Sequence, residues 1–241
     1  ADGIRRFNEL NIHETNKWDV YAKCDNIALN SMAQAFWRIY MYQQGANKHF
    51  EREAKVIWKY FEKCLKKDIR PFKYKHRALA WSCGSTYYDS ATCWLYQCWG
   101  ILTVINMDSL TGHNIVDTED RDEMMSDIAD LYARSPMRTH TVGGNRHILM
   151  MFETAAKFNC DMIVMYDDIG CKGMAGCQGL LEEEFRKHPE FHIMWMPHAL
   201  MDCRTVPTAE ARKVVNDYMT TVLHEEPVDP SLVDFDDSEG W

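Results

Sequence analysis

The sequence predicts an α/β fold, and three observations carry that prediction. From Ala78 onward, short apolar runs alternate with stretches whose apolar residues recur every three or four positions. The short runs are nearly continuous rather than alternating, as in strands covered on both faces. The chain has 241 residues, 46% hydrophobic and 26% charged, enough for one large domain with a sizeable core and a helical attachment.

Two amphipathic helices are expected in the first part of the chain. Ala28, Met32, Ala35, Phe36 and Ile39 form one apolar stripe, with Asp25 ahead of it as a cap, which predicts a helix over 25–43. After a break at Gly45, Phe50, Ala54, Ile57, Trp58, Phe61 and Leu65 form a second stripe, over 48–67. Pro71, within KKDIRPFKYKHR, forbids helix continuation and marks a boundary. The predicted strands are ALAWS (78–82), ILTVIN (101–106), DMIVMY (161–166) and FHIMWM (191–196). Helices are expected between and after them, at about 86–99, 117–134, 144–158, 173–187 and 207–223. The last places Ala211, Val214, Val215, Tyr218, Met219 and Val222 on one face. Strands alternating with helices imply right-handed crossovers and a mainly parallel, Rossmann- or flavodoxin-like sheet. The expected division is a helical connecting segment over 1–70, an α/β domain over 71–224 and an acidic tail over 225–241. That tail, within HEEPVDPSLVDFDDSEGW, is rich in acid and Pro and reads as a solvated or partner-draped extension.

The bulk numbers exclude several function classes. A net charge of −9 argues against nucleic acid, which needs a basic face. A phosphorylated small molecule stays open, because a helix amino-terminus holds phosphate without a net positive chain. No apolar stretch approaches the roughly 20 residues of a transmembrane helix. The opening ADGIRRFNEL lacks the pattern of a secretory signal and begins without Met, as expected of a processed or incomplete product. Nine cysteines, an odd number without an export signal, argue against a disulphide framework. With fifteen Met they point to a reducing, anaerobic cytoplasm. The sequence contains no GxSxG, Walker A or HExxH pattern, so the common hydrolase, nucleotide-hydrolysing and zinc-protease readings lose their main support.

In an open parallel sheet, ligands bind outside the carboxyl ends of the strands, above all where strand order reverses. Two cysteines are predicted at that edge. Cys83, followed by Gly84, comes directly after the first strand, and Cys171 follows DMIVMY after the short loop DDIG. Both are expected near a helix start, whose partial positive charge favours thiolate, the form that binds iron. Cys177, in MAGCQG, either joins the Cys171 site or sits a turn further on in the core. Cys93 and Cys98, among Trp94, Leu95 and Trp99, read as packing, and Cys24, Cys64 and Cys203 have no distinguishing spacing. Gly143-Gly144-Asn145 reads as a turn more readily than as a phosphate cradle, and His76-Arg77 as a solvent-facing charged edge.

The block CDMIVMYDDIGCKGMAGCQGLLEEEF, followed by HIMWMPHALMDCRTVPTAEARKVVNDYMTTVL, resembles the end of 2-hydroxyacyl-CoA dehydratase and benzoyl-CoA reductase subunits, the family of 2-hydroxyglutaryl-CoA dehydratase component D. Cys171-Lys172 matches the family's Cys-Lys, Asp202-Cys203-Arg204 its Asp-x-Arg, and Arg212 an Arg of its last helix. HRALAWSCGSTYYDS resembles an upstream segment that places Cys83 near the family's Cys. The similarity spans roughly residues 76–223, and residues 1–70 look like the family's connecting helices. The resemblance implies a Rossmann-like subunit holding a [4Fe–4S] cluster, with Cys171 and Cys83 as metal ligands; Cys177, by its spacing from Cys171, is a third cluster-binding candidate. It also implies a homologous partner subunit and single electrons from an ATP-hydrolysing iron–sulphur activator. A CoA thioester would then be reduced to a ketyl radical, for loss of water or ring reduction. Asp202 and Arg204 are expected to form an ion pair or loop brace rather than catalytic groups. The chain departs from the family's Asn-Arg-Ser loop with Asp167-Asp168-Ile169-Gly170, and has His198 where an acid is common.

Overall fold

The computed structural model describes residues 2–24, 48–70, 72–81, 89–107, 115–134, 146–199 and 204–235. In chain order its elements are α1 (Asp2–Tyr21), α2 (Lys48–Lys66), β1 (His76–Trp81), α3 (Asp89–Trp99), β2 (Ile101–Asn106), α4 (Arg121–Ala133), α5 (Arg146–Lys157), β3 (Met162–Asp168), α6 (Lys172–Phe185), β4 (His192–His198) and α7 (Thr208–Asp217). A π-turn, Tyr218–Val222, and a 3₁₀ turn, Pro230–Leu232, follow. The chain packs as two compact units. The first comprises Ala1–Leu29, Ala33–Phe72 and Asp108–His147, and the second Asn30–Met32, Lys73–Met107 and Ile148–Trp241.

In the first unit, α2 forms where its apolar stripe predicts, and Ala54, Phe61 and Cys64 are its buried residues. The stripe over 28–39 lies outside the described residues. Helix α1 is an addition to the expected elements. Its buried side carries Asn8, Asn11, Glu14 and Lys17 beside Leu10, Trp18 and Tyr21, so no apolar period announces it. Asn8, Glu14 and Lys17 are matched locally. Asn8 Nδ2 donates to Val116 O at 2.7 Å and Val116 N to Asn8 Oδ1 at 3.0 Å. Lys17 Nζ lies 2.6 Å from Glu14 Oε2, with both side chains almost wholly buried. Tyr21 and Phe61 join α1 to α2 with ring centroids 5.0 Å apart.

The second unit holds a four-stranded, all-parallel sheet in the order β2-β1-β3-β4. All four predicted strands are present, and the parallel α/β architecture is as expected. β1 steps to β2 in one direction and β3 to β4 in the other, so right-handed crossovers place α3 and α6 on opposite faces. On one face Ala78, Ala80, Met162, Val164, Tyr166, Met194 and Met196 pack against Trp94, Leu95, Cys98 and Trp99 of α3, and against Ala211, Val215 and Met219 beside and beyond them. On the other, Phe152 of α5 meets Phe185 of α6 at 6.0 Å, and Phe185 meets Trp195 of β4 at 5.8 Å. Gly100 ends α3 with φ +71°, a left-handed conformation that spares glycine the cost a side chain would carry. A Cβ there would also press Lys75 and Val228 at 3.2 Å. Among the described residues, no helix is long and apolar enough to cross a membrane.

The tail departs from its expected solvated course. Through Phe235 it lies along its own domain, because helix ends and an indole there offer groups that its backbone can pair. Val228 N donates to Cys98 O at 2.7 Å, satisfying a carbonyl that the end of α3 leaves orphaned. Trp94 Nε1 donates to Leu232 O at 2.8 Å and Asn216 Nδ2 to Val233 O at 3.0 Å. Buried Arg212 donates to Phe235 O and lies over the rings of Trp94 (5.3 Å) and Phe235 (5.1 Å). Arg212→Ala is expected to cost about 2–4 kcal/mol, the sum of a charged hydrogen bond and desolvated cation–π contacts. Urea unfolding would measure that loss, and faster proteolysis within 225–235 would show the tail released.

His76 and Arg77 are not a solvent-facing edge. Both are buried, since the tail and the turn after α5 cover the start of β1. Arg77 Nη2 donates to Phe158 O at 2.9 Å. His76 Nδ1 donates to Asp161 Oδ2 at 2.7 Å, and Nε2 to Glu225 Oε1 at 2.8 Å. Lys75 Nζ reaches the same Glu225 at 3.3 Å, and the His192 ring stands edge-on at 5.8 Å. The hydrogen bond to Asp161, with the charge of both carboxylates, raises His76 above its ordinary 6.5 despite burial. Burial, the largest single influence, works to raise Asp161 and Glu225, but the bonds and charge of His76, joined by the Arg77 amide at Asp161 and by Lys75 at Glu225, together outweigh it and both lie below their ordinary values. His76 therefore contributes stability that is full below about pH 6.5 and is lost as pH rises through its raised folded value. The carboxylates contribute stability that is lost as pH falls through their depressed values. Stability is expected to peak between about pH 5 and 6.5, and His76→Gln to flatten the alkaline limb of urea midpoints plotted against pH.

Candidate functional site

Sheet order reverses between β1 and β3, which makes the carboxyl edge above these two strands the ligand crevice of this architecture. Three groups of residues meet the β3 side of that edge: the turn Ile169–Gly170, Cys171 with the start of α6, and the end of β4. β3 runs on to Asp168, which pairs in register with His198. The turn is fastened at three points. Ile169 N donates to His198 O at 3.0 Å, Gly170 N to Asp168 Oδ1 at 3.1 Å, and Cys171 N to Asp168 O at 2.8 Å. Cys171 then caps α6 from an extended conformation (φ −93°, ψ 96°), with its thiol making no capping hydrogen bond. Ala175 N donates to Cys171 O at 3.1 Å and closes the first turn. Leu181 and Phe185 anchor the far end of α6 in the core.

Beneath the turn the edge is dry. Asp168 and His198 are each 7% exposed, and the His198 ring stands edge-on to Tyr166 at 5.9 Å. Burial lowers His198 below its ordinary value against the opposing pull of Asp168, so the imidazole is neutral at pH 7. Burial also pushes Tyr166 up to about 12.

The cysteines separate by environment. Cys171 and Cys177 are half-buried, and Cys177 lies in the second turn of α6. Cys98 and Cys160 are buried; burial pushes their thiols up to about 11 and about 12, which keeps them protonated and poor as ligands. Cys24 and Cys64 are buried in the first unit. Cys98 is core packing as expected, but Cys93 is exposed. Ala91, Trp94, Leu95 and Cys98 take the inward face of α3, and the helical period turns Cys93 outward. Cys83 lies outside the described residues, as do Cys203, Asp202 and Gly143-Gly144-Asn145. The strand leading to Cys83 is β3's direct neighbour, with Trp81 in register with Met165. Arg204 is exposed on the approach to α7.

Among the described residues, no three His, Cys, Asp or Glu side chains gather as a metal-binding group. Thiolate is the donor an iron–sulphur cluster takes, and the loop after β3 offers one accessible thiol, Cys171, with Cys177 a turn and a half further along α6. The described part of the chain thus fits as a contributor to a cluster site rather than a whole one. Asp168 and His198 stand out in the sequence only as departures from the family's pattern; that they meet is a matter of cross-strand register.

No curated protein matches the chain. Among protein families, it matches that of the 2-hydroxyglutaryl-CoA dehydratase D-component (HGD-D) over residues 4–201. The matched span takes in the amino-terminal helices as well as Cys83, Cys171 and Cys177, and stops short of Arg204 and Arg212. With most of its length matched, the chain belongs to the 2-hydroxyglutaryl-CoA dehydratase D-component family.

Proposed function

We propose that the chain is an iron–sulphur subunit of a radical acyl-CoA enzyme, a 2-hydroxyacyl-CoA dehydratase or an aromatic acyl-CoA reductase of the benzoyl-CoA type, with Cys171 as a cluster ligand. The observation that carries this reading is the place of Cys171: a half-exposed thiol on a short, fastened loop at the carboxyl edge, in a chain of this family. Cys83, two residues past the end of neighbouring β1, is the second proposed metal ligand, and Cys177 the third cluster-binding candidate. A bound [4Fe–4S] cluster supplies one-electron chemistry at low potential. The chain's own residues fix the geometry around it. The turn after β3 sets the Cys171 sulphur, while buried Tyr166, Asp168 and His198 keep water out of the sheet beneath. Its partners are a homologous subunit, an ATP-dependent iron–sulphur activator and an acyl-CoA, in the cytoplasm of an anaerobe.

A second reading, a scaffold or electron-relay subunit, draws on the lack of a complete metal-binding group among the described residues. Counting iron and acid-labile sulphide in anaerobically purified protein separates the two. About four iron per chain supports one cubane, about eight a double-cubane reductase, and none the scaffold.

A further inference from the structure

We propose that Asp168 is the positioning residue of Cys171, acting as the hydrogen-bond acceptor that locks the turn from which the thiol is presented. The proposal rests on the reading of Cys171 as a cluster ligand. Asp168 is the last residue of β3, where the register with His198 fixes its backbone and burial fixes its side chain. Two of its acceptors serve two of the next three residues: Oδ1 takes Gly170 N at 3.1 Å and the backbone carbonyl takes Cys171 N at 2.8 Å.

The turn has little else to hold it. Ile169 is 52% exposed, Gly170 is exposed, and neither contributes core packing. Cys171 uses no side-chain cap to tie itself to α6. The bonds of Ile169 N to His198 O and of Cys171 N to the Asp168 carbonyl are backbone contacts that any residue at 168 would keep, so the side-chain hold on the turn is the carboxylate bond to Gly170 N. A ligand sulphur on an unlocked turn would sample several positions, and outer groups that orient a ligand typically govern metal retention by about 10–100-fold. Asp168 need not touch the metal to do this. It acts through the backbone of the residue that does.

The test uses the full chain purified without oxygen, in wild-type, Asp168→Ala and Asp168→Asn forms. Asparagine keeps an oxygen at Oδ1, so it preserves the acceptor while alanine removes it. The readouts are the rate at which an iron chelator strips the cluster and the electron paramagnetic resonance spectrum of the reduced protein, with thermal unfolding as a fold control. Asp168→Ala is expected to lose iron about 10–100-fold faster with a broadened or altered spectrum, and Asp168→Asn to restore wild-type behaviour. If Asp168→Ala folds and holds iron at the wild-type rate, or if Asp168→Asn loses it as fast as Asp168→Ala, the positioning role is wrong. If wild-type protein takes up no cluster, the reading of Cys171 beneath it is wrong instead.

Discussion

Cys171→Ala is expected to bleach the brown colour of the anaerobically purified protein and abolish turnover, while Cys93→Ala does neither. The two positions differ in what surrounds the sulphur rather than in exposure alone. Cys171 leaves a buried strand at the ligand edge of the sheet and starts a helix whose first amides face the same crevice. Cys93 sits on the outer side of α3, on the turn that the helical period points away from the core. A cubane deprived of one thiolate is open to loss or conversion, so the effect on iron content is large and direct. Iron and sulphide analysis with the visible spectrum of both variants decides the matter. Full iron in Cys171→Ala would remove this residue from the ligand set and leave the family assignment as a statement about fold.

Trp99→Ala is expected to destabilise the second unit by about 3–5 kcal/mol without altering the ligand set. Trp99 is fully buried at the end of α3, in the cluster that joins α3 and α7 to the sheet. Its indole Nε1 donates to Asn216 Oδ1 at 2.9 Å. Truncation leaves a large cavity and removes the donor on which a partly buried amide relies, and these costs act together. Chemical denaturation measures the loss. A change under about 1 kcal/mol would mean that the core collapses around the site far better than buried aromatic positions usually allow.

The strands were legible because parallel strands buried on both faces are nearly continuous apolar runs, and ILTVIN and DMIVMY are, with Thr103, Asn106 and Asp161 as exceptions. β4, at the sheet edge, departs from the expectation because only alternate residues are buried. Helix α7 was legible because Ala211 and Val215 recur at the helical period. Helix α1 was hidden for the complementary reason: Asn8, Asn11, Glu14 and Lys17 are buried there, Asn8 hydrogen-bonded and Glu14 and Lys17 as an ion pair, and hydropathy cannot see pairing. The tail was misjudged on composition. Its acid and Pro content conceals that backbone carbonyls at Leu232, Val233 and Phe235 serve as acceptors for donors elsewhere. At the site, the position of Cys171 after a strand is a local property and reads directly from sequence. That Asp168 lies opposite His198 depends on the register of two strands 30 residues apart in sequence, which no local pattern encodes.

The docking of residues 228–235 has a consequence for how the protein is made. While the ribosome is still producing these residues, the indole of Trp94 lacks Leu232 O, the carbonyl of Cys98 lacks Val228 N and the guanidinium of Arg212 lacks Phe235 O. The sheet strands have all emerged by then, yet α3 still lacks the contacts of the tail. Packing of α3 is therefore completed only after residues 228–235 are made, and a nascent chain stalled before residue 228 would leave that helix without the tail's contacts and open to chaperones.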